Sequence, residues 1–142
     1  MCGLAEADHL EYGREAAVPL IVAAACAAPQ AGLPRLSGRM KVAIEAGSLA
    51  SRLYGENRAE EEFTCSYELN PDYEPVLERQ GLRITGRGEG GEPRIVELPH
   101  NRFFIATLFL PQLSSTAEVP HPIVLAFVKA AMTFASNRRE KS

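Results

Sequence analysis

The segment Gly86-Arg87-Gly88-Glu89-Gly90-Gly91 satisfies the pattern G-x-G-x-x-G. A dinucleotide site needs that loop between a strand and a helix, whose N-terminus holds the pyrophosphate. Here Glu92-Pro93 and a second strand-like run follow, so the pattern reads as a flexible hairpin turn. His9, His100 and His121 lie far apart with no cysteine at zinc-ligand spacing, so no metal site is expected. His121 stands between Pro120 and Pro122 and is read as the start of a helix. A cysteine nucleophile needs a lowered pKa, an adjacent base and an exposed turn. Cys26 sits among alanines, Cys65 alternates with Phe63 and Tyr67 toward a packed face, and Cys2 has no strand before it. All three read as free structural thiols.

The elements that would position these groups follow from apolar periodicity. Val18–Ala28 is a continuous apolar run and predicts a buried strand as far as Val22. A Pro- and Gly-rich loop, Pro29–Gly38, follows. Arg39–Ala46 alternates Met40, Val42 and Ile44 inward with Lys41, Ala43 and Glu45 outward, a half-buried strand. Ser48 caps a short helix, Leu49–Tyr54, closed by Gly55. Glu60–Leu69 alternates again, with Phe63, Cys65, Tyr67 and Leu69 on one face. Asn70 and Pro71 open a second helix that Gly81 stops. Leu82–Gly86 and Pro93–Leu98 predict two strands. Phe103–Leu110 is apolar on both faces, which predicts a strand in the middle of a covered sheet. The last helix should bury a face of Ile123, Phe127, Ala130, Ala131 and Phe134, and the tail NRREKS should fray. This order is mixed α/β.

The 142 residues suit one domain, here 1–142. Hydrophobic content of 46% and charged content of 23% exclude a disordered or collagen-like chain. Lys+Arg 15 against Asp+Glu 18 gives a net charge of −3, which argues against a nucleic-acid partner. No apolar run reaches the ~18 residues of a membrane span, and the acidic opening does not read as a signal peptide. Scattered cysteines, odd in number, suit a reducing cytoplasm.

Longer stretches carry a resemblance. They are Gly47-Ser-Leu-Ala-Ser-Arg-Leu-Tyr-Gly55, Tyr67-Glu-Leu-Asn70, Gly81-Leu-Arg-Ile-Thr-Gly86, Val96-Glu-Leu-Pro99 and Arg102-Phe-Phe-Ile-Ala-Thr-Leu-Phe-Leu-Pro-Gln112, ending in His121-Pro122. In this order they resemble the C-terminal half of the class I glutamine amidotransferase domain of CTP synthase. Gly3–Tyr12 looks like the segment after that family's nucleophile-bearing helix. The resemblance implies a flavodoxin-like α/β sheet with helices on both faces, its first half missing, so that 1–142 is a single partial domain.

The family hydrolyses glutamine with a cysteine on a strand-to-helix elbow, a histidine base and a glutamate that orients the histidine. The resemblance puts the last two in a Phe-His-Pro-Glu segment, where this chain has Phe109-Leu110-Pro111-Gln112. It puts the elbow cysteine ahead of Met1. Leu110 has no proton to accept or give, and Gln112 lacks the charge that would hold an imidazolium. Two further family residues hold the glutamine backbone. Glu11 matches the first, and Ser66 replaces the arginine expected as the second. The resemblance thus implies a catalytically inactive relative that acts by binding or regulation, with Glu11 as the one substrate-binding candidate and no cofactor. The alternative is the second half of a split enzyme whose nucleophile lies on a separate or upstream chain. An uncovered apolar face also implies self-association, a partner polypeptide completing the domain, or a truncated reading of a longer gene; family analogy adds docking on a CTP synthase.

Overall fold

Alternation along Ser37–Ile44 (β3) sends Val42 and Ile44 into the core and leaves Lys41 and Ala43 exposed. The strand starts two residues earlier than its periodicity alone suggests. The computed structural model describes Leu4 and residues 6–11, 16–24 and 37–139. Cys2, Cys26, most of the Pro29–Gly38 loop and the last three residues lie outside the described residues.

A five-stranded antiparallel sheet forms the main body, in the order β4-β3-β6-β7-β8. Its strands are β3, Arg58–Thr64 (β4), Arg83–Arg87 (β6), Pro93–Glu97 (β7) and Ile105–Thr107 (β8). A smaller sheet, β1-β2-β5, joins Ala7–His9 (β1), Val18–Ala23 (β2) and Tyr67–Leu69 (β5). β1 and β2 run parallel, and β5 is antiparallel to β2. Three helices complete the fold: Leu49–Tyr54 (α1), Glu74–Arg79 (α2) and Pro122–Arg139 (α3).

Local chemistry explains the helix ends. Ser48 Oγ accepts the Ser51 N–H at 2.9 Å, and Gly55 closes α1 at φ 72°, a left-handed conformation that suits glycine. Asn70 Oδ1 accepts the Asp72 N–H at 3.1 Å, starting a 3-10 turn, Pro71–Tyr73, that leads into α2. The G-x-G-x-x-G segment is the β6–β7 hairpin turn, closed by Gly88 N–H to Glu92 O at 2.9 Å.

Two clusters make the core. Val42, Ile44, Ala50, Ile95, Phe109 and Ile123 fill one face of the main sheet, under α1 and the start of α3. Leu69, Leu77 and Leu82 form the other, with Leu20, Ile21 and Val96 packed against them. β7 is therefore covered on both faces, Ile95 facing one cluster and Val96 the other. Its register with β6 shifts around Thr85 and Gly86. A Cβ at Gly86 would come within 2.6 Å of Ile95 Cγ1, so only glycine admits this approach.

Five expectations need correction. Phe103–Leu110 is apolar on both faces, with Phe104 and Leu108 in one cluster and Ile105 and Phe109 in the other. It is not a central strand: only Ile105–Thr107 pairs, at the end of the sheet. Curling of the sheet makes a central position unnecessary. Leu110 N–H donates to Glu62 O at 3.0 Å, so the segment after β8 reaches β4, the opposite edge. Glu60–Leu69 is not one strand, because the chain leaves the main sheet at Cys65-Ser66 and enters the small one. β2 is half-buried along its length rather than buried. In α3 only Ile123 is buried, and Phe127 is 61% exposed. The helix also continues through Asn137-Arg138-Arg139, where fraying was expected.

Candidate functional site

The small sheet brings two of the expected positions to one end. His9 pairs with Ile21, Ala23 pairs with Tyr67, and Ala24 N–H donates to Ser66 O at 2.9 Å. Glu11, two residues beyond β1, and Ser66, just before β5, therefore lie past the carboxyl ends of the parallel strands β1 and β2. Such ends are where open α/β sheets bind ligands. Glu11 is exposed, and its N–H donates to His9 Nδ1 at 3.0 Å. His9 in turn lies against Tyr67, ring centroids 4.7 Å apart. Cys65 is half-buried, with Sγ 3.7 Å from Tyr67 O.

Leu110 and Gln112 occupy a turn rather than a strand. Leu113 N–H closes it on Leu110 O at 2.9 Å. Leu110 is half-buried and Gln112 exposed. Both backbone polar groups of Leu110 are engaged, its O by Leu113 and its N–H by Glu62 O. Neither side chain can move a proton.

The acid–base group that the sequence reading missed lies elsewhere. Glu61 shares the inward parity of Ala59 and Phe63, so the alternation of β4 buries a carboxyl group. Its Oε1 accepts from Tyr54 OH and from His121 Nε2, the latter at 2.9 Å. Ile123 N–H donates to His121 Nδ1 at 3.2 Å, so Nδ1 carries no proton and Nε2 does. His121 thereby starts α3, as its place between two prolines suggests. Glu61 Oε2 is buried and has no hydrogen-bond partner among the described residues. Burial, then the hydrogen bond to Glu61 and its charge, hold the Tyr54 phenol far above its ordinary pKa. The network, with Glu61 and His121 buried and Tyr54 half-buried, joins α1, β4 and the start of α3.

A second buried carboxylate, Glu97, is also structural. Its oxygens accept the N–H groups of Leu49 and Ala50 at 2.9 and 2.8 Å, and Thr85 Oγ1 at 2.8 Å. It satisfies donors at the start of α1 that would otherwise be orphaned. Arg94 binds Glu92 at 2.8 Å and lies 3.8 Å from Glu68, linking β7 to β5. Burial pushes the Glu92 carboxyl up, but Arg94 and local backbone donors outweigh it and hold the group below its usual value.

Beside the small sheet lies a hollow of about 450 Å³, lined mainly by Leu20, Ile21, Leu69, Leu77, Leu82 and Val96. No group of three or more His, Cys, Asp or Glu side chains could hold a metal among the described residues. None of their helices is long and apolar enough to cross a membrane.

No known protein-family profile matches the chain. It is 35% identical over 133 residues to the CTP synthase of Saccharolobus solfataricus, covering 90% of this chain and 24% of that protein. It is 33% identical over 145 residues to the CTP synthase of Archaeoglobus fulgidus, covering 98% of this chain and 26% of that one. The glutaminase domain of Trypanosoma brucei CTP synthase, solved with bound acivicin, superimposes with a TM-score of 0.85 at 28% identity. The chain is a homologue of the CTP synthase glutaminase domain. Its fold is the class I glutamine amidotransferase fold. It spans about a quarter of the CTP synthases it matches, and 53% of the solved glutaminase domain.

Proposed function

We propose that the chain is a catalytically inactive homologue of the CTP synthase glutaminase domain and acts by binding. The observation that carries this reading is Leu110-Pro111-Gln112, where the family resemblance calls for His-Pro-Glu. The histidines of the described residues do not replace the missing base. His121 is sealed between Glu61 and the start of α3. His9 Nδ1 accepts a backbone N–H, and its ring lies on Tyr67. His100 sits in an exposed turn ended by Asn101 N–H to Leu98 O. Glu11 remains a carboxylate able to hold an ammonium group at the end of the small sheet. The reading places the protein in the cytoplasm, beside pyrimidine metabolism and with a CTP synthase as a candidate partner.

The test is ammonia release from glutamine by the purified chain, with and without an ammonia acceptor. Release at the uncatalysed rate is expected, and turnover clearly above it sinks the proposal. Binding of glutamine or acivicin to the wild type and to Glu11→Gln reports whether the substrate end survives.

A second reading makes the chain one half of a split amidotransferase, completed by a polypeptide that carries the nucleophile cysteine. The open apolar hollow beside the small sheet favours it. Co-purification with a chain bearing a Gly-x-Cys-x-Gly turn supports this reading. Purification of the chain free of any such polypeptide removes it.

A further inference from the structure

The helix α3 is the least covered element of the described fold, with Ile123 its one buried residue among 18. Its apolar residues other than Ala126, from Ala130 round to Leu125, span roughly 220° of the helix circumference. A helix packed on one side needs about half of that. Part of the arc has neighbours in the chain. The Phe127 ring lies 6.1 Å from that of Phe103, and the Arg102 guanidinium lies 4.5 Å over Phe134. The remainder is largely open: Leu125, Val128 and Met132 are 40%, 47% and 65% exposed, with exposed Ala131 and Ala135 beside them.

We propose that this second face pairs with the same face of another copy of the chain, as an antiparallel, two-fold symmetric helix pair. The face is complementary to itself. When Val128 lies opposite Met132 of the second copy, Leu125 falls opposite Ala135. Large meets small on both sides of the axis, and the alanines admit close approach. Charge selects the antiparallel direction. Arg138 and Arg139 end the helix, its first turn holds no acid, and the exposed Glu118 lies just ahead of it. An antiparallel pair brings Arg139 of one copy beside Glu118 of the other, whereas a parallel pair stacks four arginines at one end. Lys129 and Thr133 stay on the solvent side. The pairing does not depend on the catalytic reading, since no residue of the candidate site takes part.

One helix pair lies at the small end of stable interfaces, so the dimer is weak and depends on concentration. Light scattering and sedimentation velocity on the full chain, under reducing conditions, should show the mass rising from 15.5 kDa toward twice that value. Val128→Glu with Met132→Glu places like charges across the axis at exposed positions. That variant should keep its circular dichroism spectrum and remain monomeric. Glu118→Arg should weaken pairing, and adding Arg139→Glu should restore it. A monomer at every concentration overturns the proposal. So does a dimer indifferent to Val128→Glu with Met132→Glu, which would move the interface to the apolar hollow. An assembly larger than two, or one formed only with a second kind of polypeptide, overturns it as well.

Discussion

His121 Nε2 donates to Glu61 Oε1 across 2.9 Å, while its other ring nitrogen accepts the Ile123 N–H that begins α3. The pair is therefore a hydrogen bond held in one tautomer, and it ties β4 to the last helix. His121→Ala removes both bonds and leaves a buried carboxyl with less support. We expect a loss of roughly 2–4 kcal/mol in denaturant unfolding. Glu61→Leu should cost less. Tyr54 OH and His121 Nε2 already lie 3.3 Å apart and can pair once the carboxyl is gone, and the orphaned Oε2 goes with it. A Glu61→Leu variant less stable than His121→Ala would contradict this account.

Alkaline unfolding should expose the same network. Burial and Glu61 raise the Tyr54 pKa in the folded state, so the unfolded chain gives up this proton first. The contribution is complete below the unfolded tyrosine value of about 10 and is lost as pH rises beyond it. Stability should fall by up to about 1.4 kcal/mol per pH unit from this group. Tyr54→Phe should flatten that part of the curve. Equal slopes for the two proteins above that pH would show that Tyr54 is not the group responsible.

The carboxylate of Glu97 should matter more to α1 than the helix's own cap. Glu97→Gln turns one acceptor into a donor that faces another donor, Leu49 N–H, Ala50 N–H or Thr85 Oγ1. The expected cost is roughly 2–3 kcal/mol, against about 1 kcal/mol for Ser48→Ala. Thermal or denaturant unfolding of the two variants measures the ranking.

Restoring the family's letters should not restore its chemistry. Leu110→His with Gln112→Glu rebuilds Phe-His-Pro-Glu, but the new imidazole still needs a nucleophile about 3 Å away. Cys65 lies at the joint between two sheets and cannot stand on a strand-to-helix elbow. An oxyanion hole is worth about 10²–10³ in rate and must be supplied as well. We expect no glutaminase activity from the double variant. A variant that hydrolyses glutamine, and stops when Cys2→Ser is added, would refute the expectation.

Much of this fold was legible where a local rule is decisive. Ser48 and Gly55 bound α1, Gly88 turns a hairpin, and the parity of Val42 and Ile44 names the inner face of β3. Tertiary closure was not legible. Apolar residues on both faces of Phe103–Leu110 suggested a central strand, because nothing local announces that Leu110 will meet Glu62. The break at Cys65-Ser66 escaped for the same reason, since the alternation continues while the chain changes sheets. Glu61 was hidden by its charge: a run of three glutamates reads as a solvated edge, although the middle one has the parity of Phe63. The positions of Leu110, Gln112, Glu11 and Ser66 came from resemblance, and periodicity alone would not have singled them out.

The bond from Leu110 to Glu62 also bears on the order of folding. It joins residues far apart in sequence, and closing so long a loop must precede any gain from the contact. The β6–β7 hairpin, tied by its own Gly88–Glu92 turn, carries a far smaller entropic cost. Docking of the Leu110 turn on β4 is thus expected to be a late event, and until it occurs the outer edge of β4 presents bare backbone to any neighbouring chain.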